Sequence, residues 1–329
     1  MQRGSCIQFS GGNVGTDMNN LCTERPDVGK LLKTKLGKLE MNSPLAVASG
    51  TFDLESLEFF DPACLGAFVS KTITKEPKKG NPPPRLYETE AGLINSIGLQ
   101  NPGLEVFINE KLPMYRDKLS MPLIVSFSGS SISEFCAMME ALENCAGIAG
   151  YEINVSCPNV ENEGIAFGTD PLVLYNLVQN LAKISQKELC VKLSPNVSDI
   201  AEIARATEAA GATSLALINS LWGMAIDYRS GQSRIKKGIG GYTGIGIKPV
   251  ALALTYKVAQ AIDIPILAMG GIYDWQDALE FIWAGASAIA LGTANFINPL
   301  AAPELIIGLG EYLLTEQKAI QDLVGRVRI

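Results

Sequence analysis

At 329 residues, 47% of them hydrophobic and 19% charged, the chain is long enough for one large α/β barrel and too apolar for a disordered or fibrous protein. Its 27 Lys and Arg against 34 Asp and Glu leave a net charge of -7, and no basic run offers the track along a phosphate backbone that nucleic-acid binding needs. There is no histidine, which removes Ser-His-Asp hydrolysis and His-based metal sites, and the seven cysteines include no CxxC pair, as expected of reduced thiols in a cytoplasm.

Residues 1–34 are expected to form a loosely ordered extension, since the first thirty are polar and lack both the apolar segment of a signal peptide and the pattern of a membrane anchor. From residue 45 onward, short apolar runs alternate with stretches of helical period, the pattern of repeated βα units. The strand candidates are 45–50 (LAVASG), 67–73 (AFVSKTI), 122–129 (PLIVSFSG), 150–157 (GYEINVSC), 189–195 (LCVKLSP), 214–220 (SLALINS), 265–271 (PILAMGG) and 288–294 (AIALGTA). Helices are expected at 132–144, 170–185, 198–211 and 274–286, several opening on Ser or Asp as N-caps. Eight strands predict a closed (β/α)8 TIM barrel over residues 35–310, followed by a C-terminal helical extension at 311–329. A doubly wound sheet is disfavoured because no GxGxxG follows the first strand. Long connections at 74–121, 158–170 and 221–247 follow strand C-termini, where barrel enzymes build their sites.

The strand ends carry Ser49, Lys71, Ser126, Asn154, Lys192 and Asn219. Any one of them alone reads as a satisfied polar cap, but a barrel brings all of them to one mouth. Lysines inside apolar strands are costly to bury unless they face an anion or a polar cavity. Glycines after the last two strands, in 269–271 (MGG) and 291–293 (LGT), stand where barrels bind phosphate through backbone N–H groups. Cys157 lies in 154–159 (NVSCPN), at a strand end among polar neighbours, so a role as base or nucleophile competes with plain packing. Cys136, Cys145 and Cys190 read as small buried hydrophobes.

The stretches SKT (70–72), GNPPPRLYET (80–89), NSIGLQNPG (95–103), NVSCPN (154–159), GIAFGTDP (164–171), VKLSPNVSDI (191–200), MGGI (269–272) and LGTANF (291–296) resemble those of the class 1 dihydroorotate dehydrogenases, FMN-containing barrels, and most closely the class 1B catalytic subunit. The resemblance spans roughly residues 35–308. It implies oxidation of (S)-dihydroorotate to orotate in pyrimidine biosynthesis, with Cys157 as the base. It also implies substrate contacts from Lys71, Asn95, Ser96, Ile97, Gly98, Leu99, Asn154, Asn219 and Ser220. The flavin would be held by Ser49, Lys71, Thr72, Ser126, Asn154, Lys192 and Ile218, with Gly244, Gly270, Gly271, Gly292 and Thr293 completing the flavin and phosphate site. The class 1B form implies one FMN per chain, a homodimer, and an electron-transfer subunit that carries FAD and a [2Fe–2S] cluster and delivers electrons to NAD. No metal site is expected on this chain, and neither nucleic acid nor membrane is an expected partner.

The sequence departs from the class 1B pattern at Ser126, where asparagine is usual, at Ser220 and the Trp222 segment, and at Ile245, where proline is typical. These departures keep a fumarate-using class 1A homodimer open as an alternative. A dihydropyrimidine dehydrogenase-like reductase shares several of the flavin motifs, but the NSIGLQNPG loop with Lys71 favours a substrate bearing a carboxylate. A barrel that binds a phosphorylated metabolite without redox chemistry is the remaining alternative.

Overall fold

The computed structural model describes residues 26–155 and 167–329. In chain order it contains α1 (Pro26–Leu32), the hairpin β1 (Thr34–Leu36) and β2 (Leu39–Met41), β3 (Leu45–Val47), β4 (Ala67–Val69), the hairpin β5 (Leu86–Thr89) and β6 (Gly92–Asn95), α2 (Leu112–Lys118), β7 (Leu123–Phe127) and α3 (Ile132–Glu143). It continues through β8 (Gly150–Asn154), α4 (Pro171–Ile184), β9 (Glu188–Lys192), α5 (Ile200–Ala209), β10 (Ser214–Leu217), β11 (Leu221–Met224) and β12 (Ile239–Thr243). The last elements are α6 (Lys248–Ala259), β13 (Ile266–Ala268), α7 (Trp275–Trp283), β14 (Ala288–Leu291) and α8 (Ala301–Glu316).

Strands β3, β4, β7, β8, β9, β10, β13 and β14 close into a barrel of parallel neighbours. Each coincides with a strand expected from the sequence. Alternation along the strands separates two apolar layers. Leu45, Val47, Phe68, Val125 and Ile153 face outward onto the helices, whereas Ala46, Ala67, Val69, Ile124, Cys190, Ala216, Leu267, Ala288 and Ala290 share the interior. The small interior side chains leave room for an inward polar set that the same period-two parity brings together: Ser126 on β7, Glu152 and Asn154 on β8, and Glu188 and Lys192 on β9. Ser126 stands opposite Glu152, and Asn154 opposite Lys192. Cys190, fully enclosed between these carboxylates, has its thiol pushed well up by burial and then by Glu152 and Glu188, which suits the packing role expected of it.

Four of the helices begin where short polar side chains take the first free backbone N–H groups. Ser131 accepts from Glu134, Asp170 from Leu172 and Val173, and Asp199 from Ala201, while Asp274 and Asp277 form a capping box. The β1–β2 hairpin closes the barrel floor with Leu36, Leu39 and Met41. It is fastened where Glu188 accepts the Lys38 backbone N–H at 2.6 Å and the Ser214 hydroxyl at 2.5 Å. Burial raises the Glu188 carboxyl above its ordinary range, and these donors oppose the rise.

Of the expected N-terminal extension, residues 1–25 lie outside the described residues, and α1 in the remainder buries Val28 and Leu32 against α8 in the main core. The connections at 74–121 and 221–247 hold an antiparallel sheet of their own, in the order β11-β12-β6-β5, which stands as a wall at the C-terminal mouth of the barrel. At the other end of the chain, α8 starts at Ala301, and Leu313, Ile320 and Leu323 are buried in the main core, so the chain packs onto the barrel as far as Leu323.

Candidate active site

A cavity of about 1120 Å³ opens at the C-terminal ends of the strands. Strand ends supply Ser49, Lys71, Thr72, Asn154, Lys192 and Ile218, and the β6 loop supplies Asn95, Ser96, Ile97, Gly98 and Leu99. Asn219 and Ser220 enter after β10, and Gly244, Gly270, Gly271, Gly292 and Thr293 line the side built by the last strands and the loop before α6. All of these were expected from the sequence. Ser126 does not reach the cavity: it is fully buried behind Thr72, because β7 turns it into the barrel one layer below the mouth. Cys157, the expected base, lies outside the described residues.

The loop carrying 95–103 is held tightly. Gly98 and Leu99 both take left-handed backbone conformations, φ 74° and 52°, a cost of roughly 1–3 kcal/mol for the leucine that only a well-braced loop sustains. Asn101 braces it, donating to the Leu99 carbonyl at 2.7 Å and accepting from the backbone of Thr74 and Gly103. Asn81 donates to the carbonyl and hydroxyl of Ser96, and its own N–H reaches the Ile97 carbonyl at 2.9 Å. On the opposite wall, Asn196 donates to the Ser220 carbonyl and accepts from the Trp222 N–H, both at 3.0 Å. Asn95 donates to Gly241 across the small sheet at 3.1 Å.

Lys71 and Lys192 bring charge to the cavity from the strand ends, and Arg85, Glu88 and Lys237 line it as well. Burial pushes the Lys71 ammonium below the usual lysine range, and the charge of Lys192 adds to that. Lys71 lies across Gly50, where a β-carbon would stand 2.7 Å from its Nζ, so the glycine makes room for the cation. Lys192 is 6% exposed and sits with its Nζ 3.7 Å from the Glu152 carboxylate. Thr72 is the hub of the polar wall, within 2.9 Å of both the Ser49 and Ser126 hydroxyls and receiving the Asn154 amide at 3.2 Å.

The glycine side brings main chain to the cavity surface. Gly270 and Gly271 have φ of 127° and 80°, and a β-carbon at Gly271 would collide with the backbone of Lys248. At Gly292 a β-carbon would meet nothing closer than Ala48 at 3.8 Å, so the fold itself does not require glycine there. Open space beside the backbone at the last strand is what close approach by a phosphate-bearing ligand calls for.

Gly50, Asn81, Glu152 and Asn196 belong to the site or its support and were missed in the sequence. Parity would have found Glu152, two residues before Asn154 on a strand whose alternate residues face inward. Among the described residues, no group of three or more His, Cys, Asp or Glu is arranged to hold a metal ion. Likewise no described helix is long and apolar enough to cross a membrane.

This is a (β/α)8-barrel enzyme whose mouth joins a polar pocket holding Lys71 and Lys192 to a wall built by Gly270, Gly271 and Gly292. The family model described as dihydroorotate dehydrogenase matches residues 31–313. The chain is 44% identical over 301 residues to the protein of Thermoanaerobacter pseudethanolicus named dihydroorotate dehydrogenase B (NAD(+)), catalytic subunit, covering 91% of this chain and 99% of that one. Catalytic subunits of the same name from Malacoplasma penetrans and Citrifermentans bemidjiense are 46% and 40% identical, over 90% and 93% of this chain and 97% and 100% of theirs. The chain belongs to the dihydroorotate dehydrogenase family. The comparisons favour neither the dihydropyrimidine dehydrogenase-like reading nor the non-redox one, and the NAD-linked form is favoured over the fumarate-using one.

Proposed function

We propose that this chain is the catalytic subunit of an NAD-linked dihydroorotate dehydrogenase, oxidising (S)-dihydroorotate to orotate with one FMN in the barrel mouth. The observation that carries the reading is the meeting, in one cavity, of the Lys71 and Lys192 wall with the backbone of Gly270, Gly271 and Gly292, the last of which has open space beside it.

These residues fit FMN. The glycines, with Gly244 and Thr293, would take its phosphate, and Ser49, Thr72, Lys192 and Ile218 would line its ring. When bound, FMN supplies the two-electron acceptor that protein side chains lack. Lys71 and the backbone of Ile97, Gly98 and Leu99 would hold the substrate carboxylate, with Ser96 beside them. Asn95, Asn154, Asn219 and Ser220 would meet the polar edges of the pyrimidine ring. Cys157, as thiolate, takes the proton from C5 of the substrate. Lys192, beside the pocket the ring would occupy, would offer it a cationic side chain.

A partner subunit that would carry FAD and a [2Fe–2S] cluster would supply the route for the electrons to NAD. The small sheet supports such a docking surface: Trp222, Met224, Ile226 and Ile239 expose more than half of their area beside the mouth, and Met224 pairs directly with Ile239. The proposal includes a homodimer and a cytoplasmic location.

The flavin-loaded chain alone should oxidise dihydroorotate with a dye as acceptor, and should use NAD only once the partner subunit is added. Turnover driven by fumarate would overturn the acceptor, and a chain inert with every dye would overturn the reaction.

A further inference from the structure

Glu152 is 1% exposed at the centre of the barrel and has no place in the roles above. One of its oxygens, Oε2, receives no hydrogen bond and faces Lys192 Nζ at 3.7 Å. The other, Oε1, accepts the Ser126 hydroxyl at 2.9 Å. A carboxylate can only accept, so this contact fixes every proton in the chain of groups beyond it. Ser126 has one proton and gives it to Glu152, so towards Thr72 its oxygen can only accept. Thr72 therefore donates to Ser126 across 2.9 Å, and its own oxygen is left to accept, from the Ser49 hydroxyl at 2.9 Å and from Asn154 Nδ2 at 3.2 Å. The amide nitrogen of Asn154 is thus turned to Thr72 and the amide oxygen away from it.

We propose that Glu152 is a positioning residue for ligand recognition: its buried carboxylate, set against Lys192, directs the hydroxyl chain Ser126–Thr72–Ser49 and so fixes which end of the Asn154 amide meets the ligand. This rests on the reading of the mouth as a pyrimidine site. A pyrimidine edge alternates N–H donors and carbonyl acceptors, so an amide turned end for end replaces attraction by repulsion. Replacing Glu152 by glutamine removes the constraint, because the Gln amide can itself donate to Ser126 and let the whole chain reverse.

The test is calorimetric titration of orotate into flavin-loaded protein, for the parent chain, Glu152→Gln, Ser126→Ala and the double variant. Ser126→Ala cuts the chain and leaves the Glu152–Lys192 pair in place. Each single variant should bind orotate about 10-fold more weakly, and the double variant no more weakly than either, since both changes break one chain. A folded single variant that binds like the parent, or losses that multiply in the double variant, would overturn the proposal. If Glu152→Gln does not fold, Ser126→Ala decides alone by the same 10-fold criterion. A parent protein that carries flavin yet fails to bind orotate removes the pyrimidine reading itself, and this inference with it.

Discussion

Lys71 is where the chemistry of the site is most exposed to pH. Burial, and secondarily the charge of Lys192, depress its ammonium, so in the ligand-free protein the charged form opposes folding. That cost is full below the lowered folded pKa and vanishes above the unfolded value of about 10.4, so stability gains from this group as pH rises between the two. An anionic ligand needs the charge, and orotate affinity should begin to fall at a pH below the ordinary lysine range. Lys71→Met should weaken orotate by roughly 10- to 100-fold, as loss of a charge-assisted hydrogen bond implies, and should flatten that alkaline decline in a titration across pH. The base acts in the opposite sense: an ordinary thiol ionises near about 8.5, so kcat should climb into mild alkali while KM worsens. Cys157→Ala should cost about 10²- to 10⁴-fold in kcat, and a variant as fast as the parent would remove the cysteine from its role. At this scale the sequence placed Lys71, Asn154 and Lys192 at strand ends, and all three line the cavity. The sequence was read poorly one layer deeper: Ser126 was assigned to the cavity wall, and Glu152 was passed over as part of an apolar run, because linear order does not say how far into a barrel a side chain lies.

Among the elements, the barrel strands were legible from their periodicity, and the helices that open on a polar cap were legible with them, as Ser131 and Asp274 illustrate. The small sheet was not. Leu86–Thr89 and Gly92–Asn95 are short and half-exposed, and β6 is completed by Gly241, Tyr242 and Thr243 nearly 150 residues away. Pairing of that kind leaves no local pattern. The glycines of the cradle can be told apart by what the fold asks of them. Gly271 is held by its positive φ and its contact with Lys248, whereas Gly292 has room for a methyl group. Gly292→Ala should therefore leave thermal stability within about 0.5 kcal/mol of the parent and lower FMN affinity, measured by flavin fluorescence on dilution. Unchanged FMN affinity would show that the open space at the last strand is not where the phosphate lies.

For the whole molecule, one core runs from α1 through the barrel to the chain's last buried residues. A chain ending at residue 310 loses buried Leu313, Ile320 and Leu323 and the stacking of Tyr312 on Trp275 at 5.6 Å. At roughly 1.5–3 kcal/mol for each aliphatic side chain, that loss rivals the 5–15 kcal/mol by which ordinary domains are stable, so the truncated chain should lack a cooperative thermal transition. The barrel, the polar mouth and the open backbone at the last strand all serve one reaction, and a single anaerobic experiment addresses it. The purified, FMN-loaded chain is mixed with dihydroorotate in the absence of oxygen while the visible flavin band is followed. The account predicts that the band bleaches as orotate forms in equal amount to flavin. A flavin that stays oxidised in the presence of dihydroorotate would contradict it.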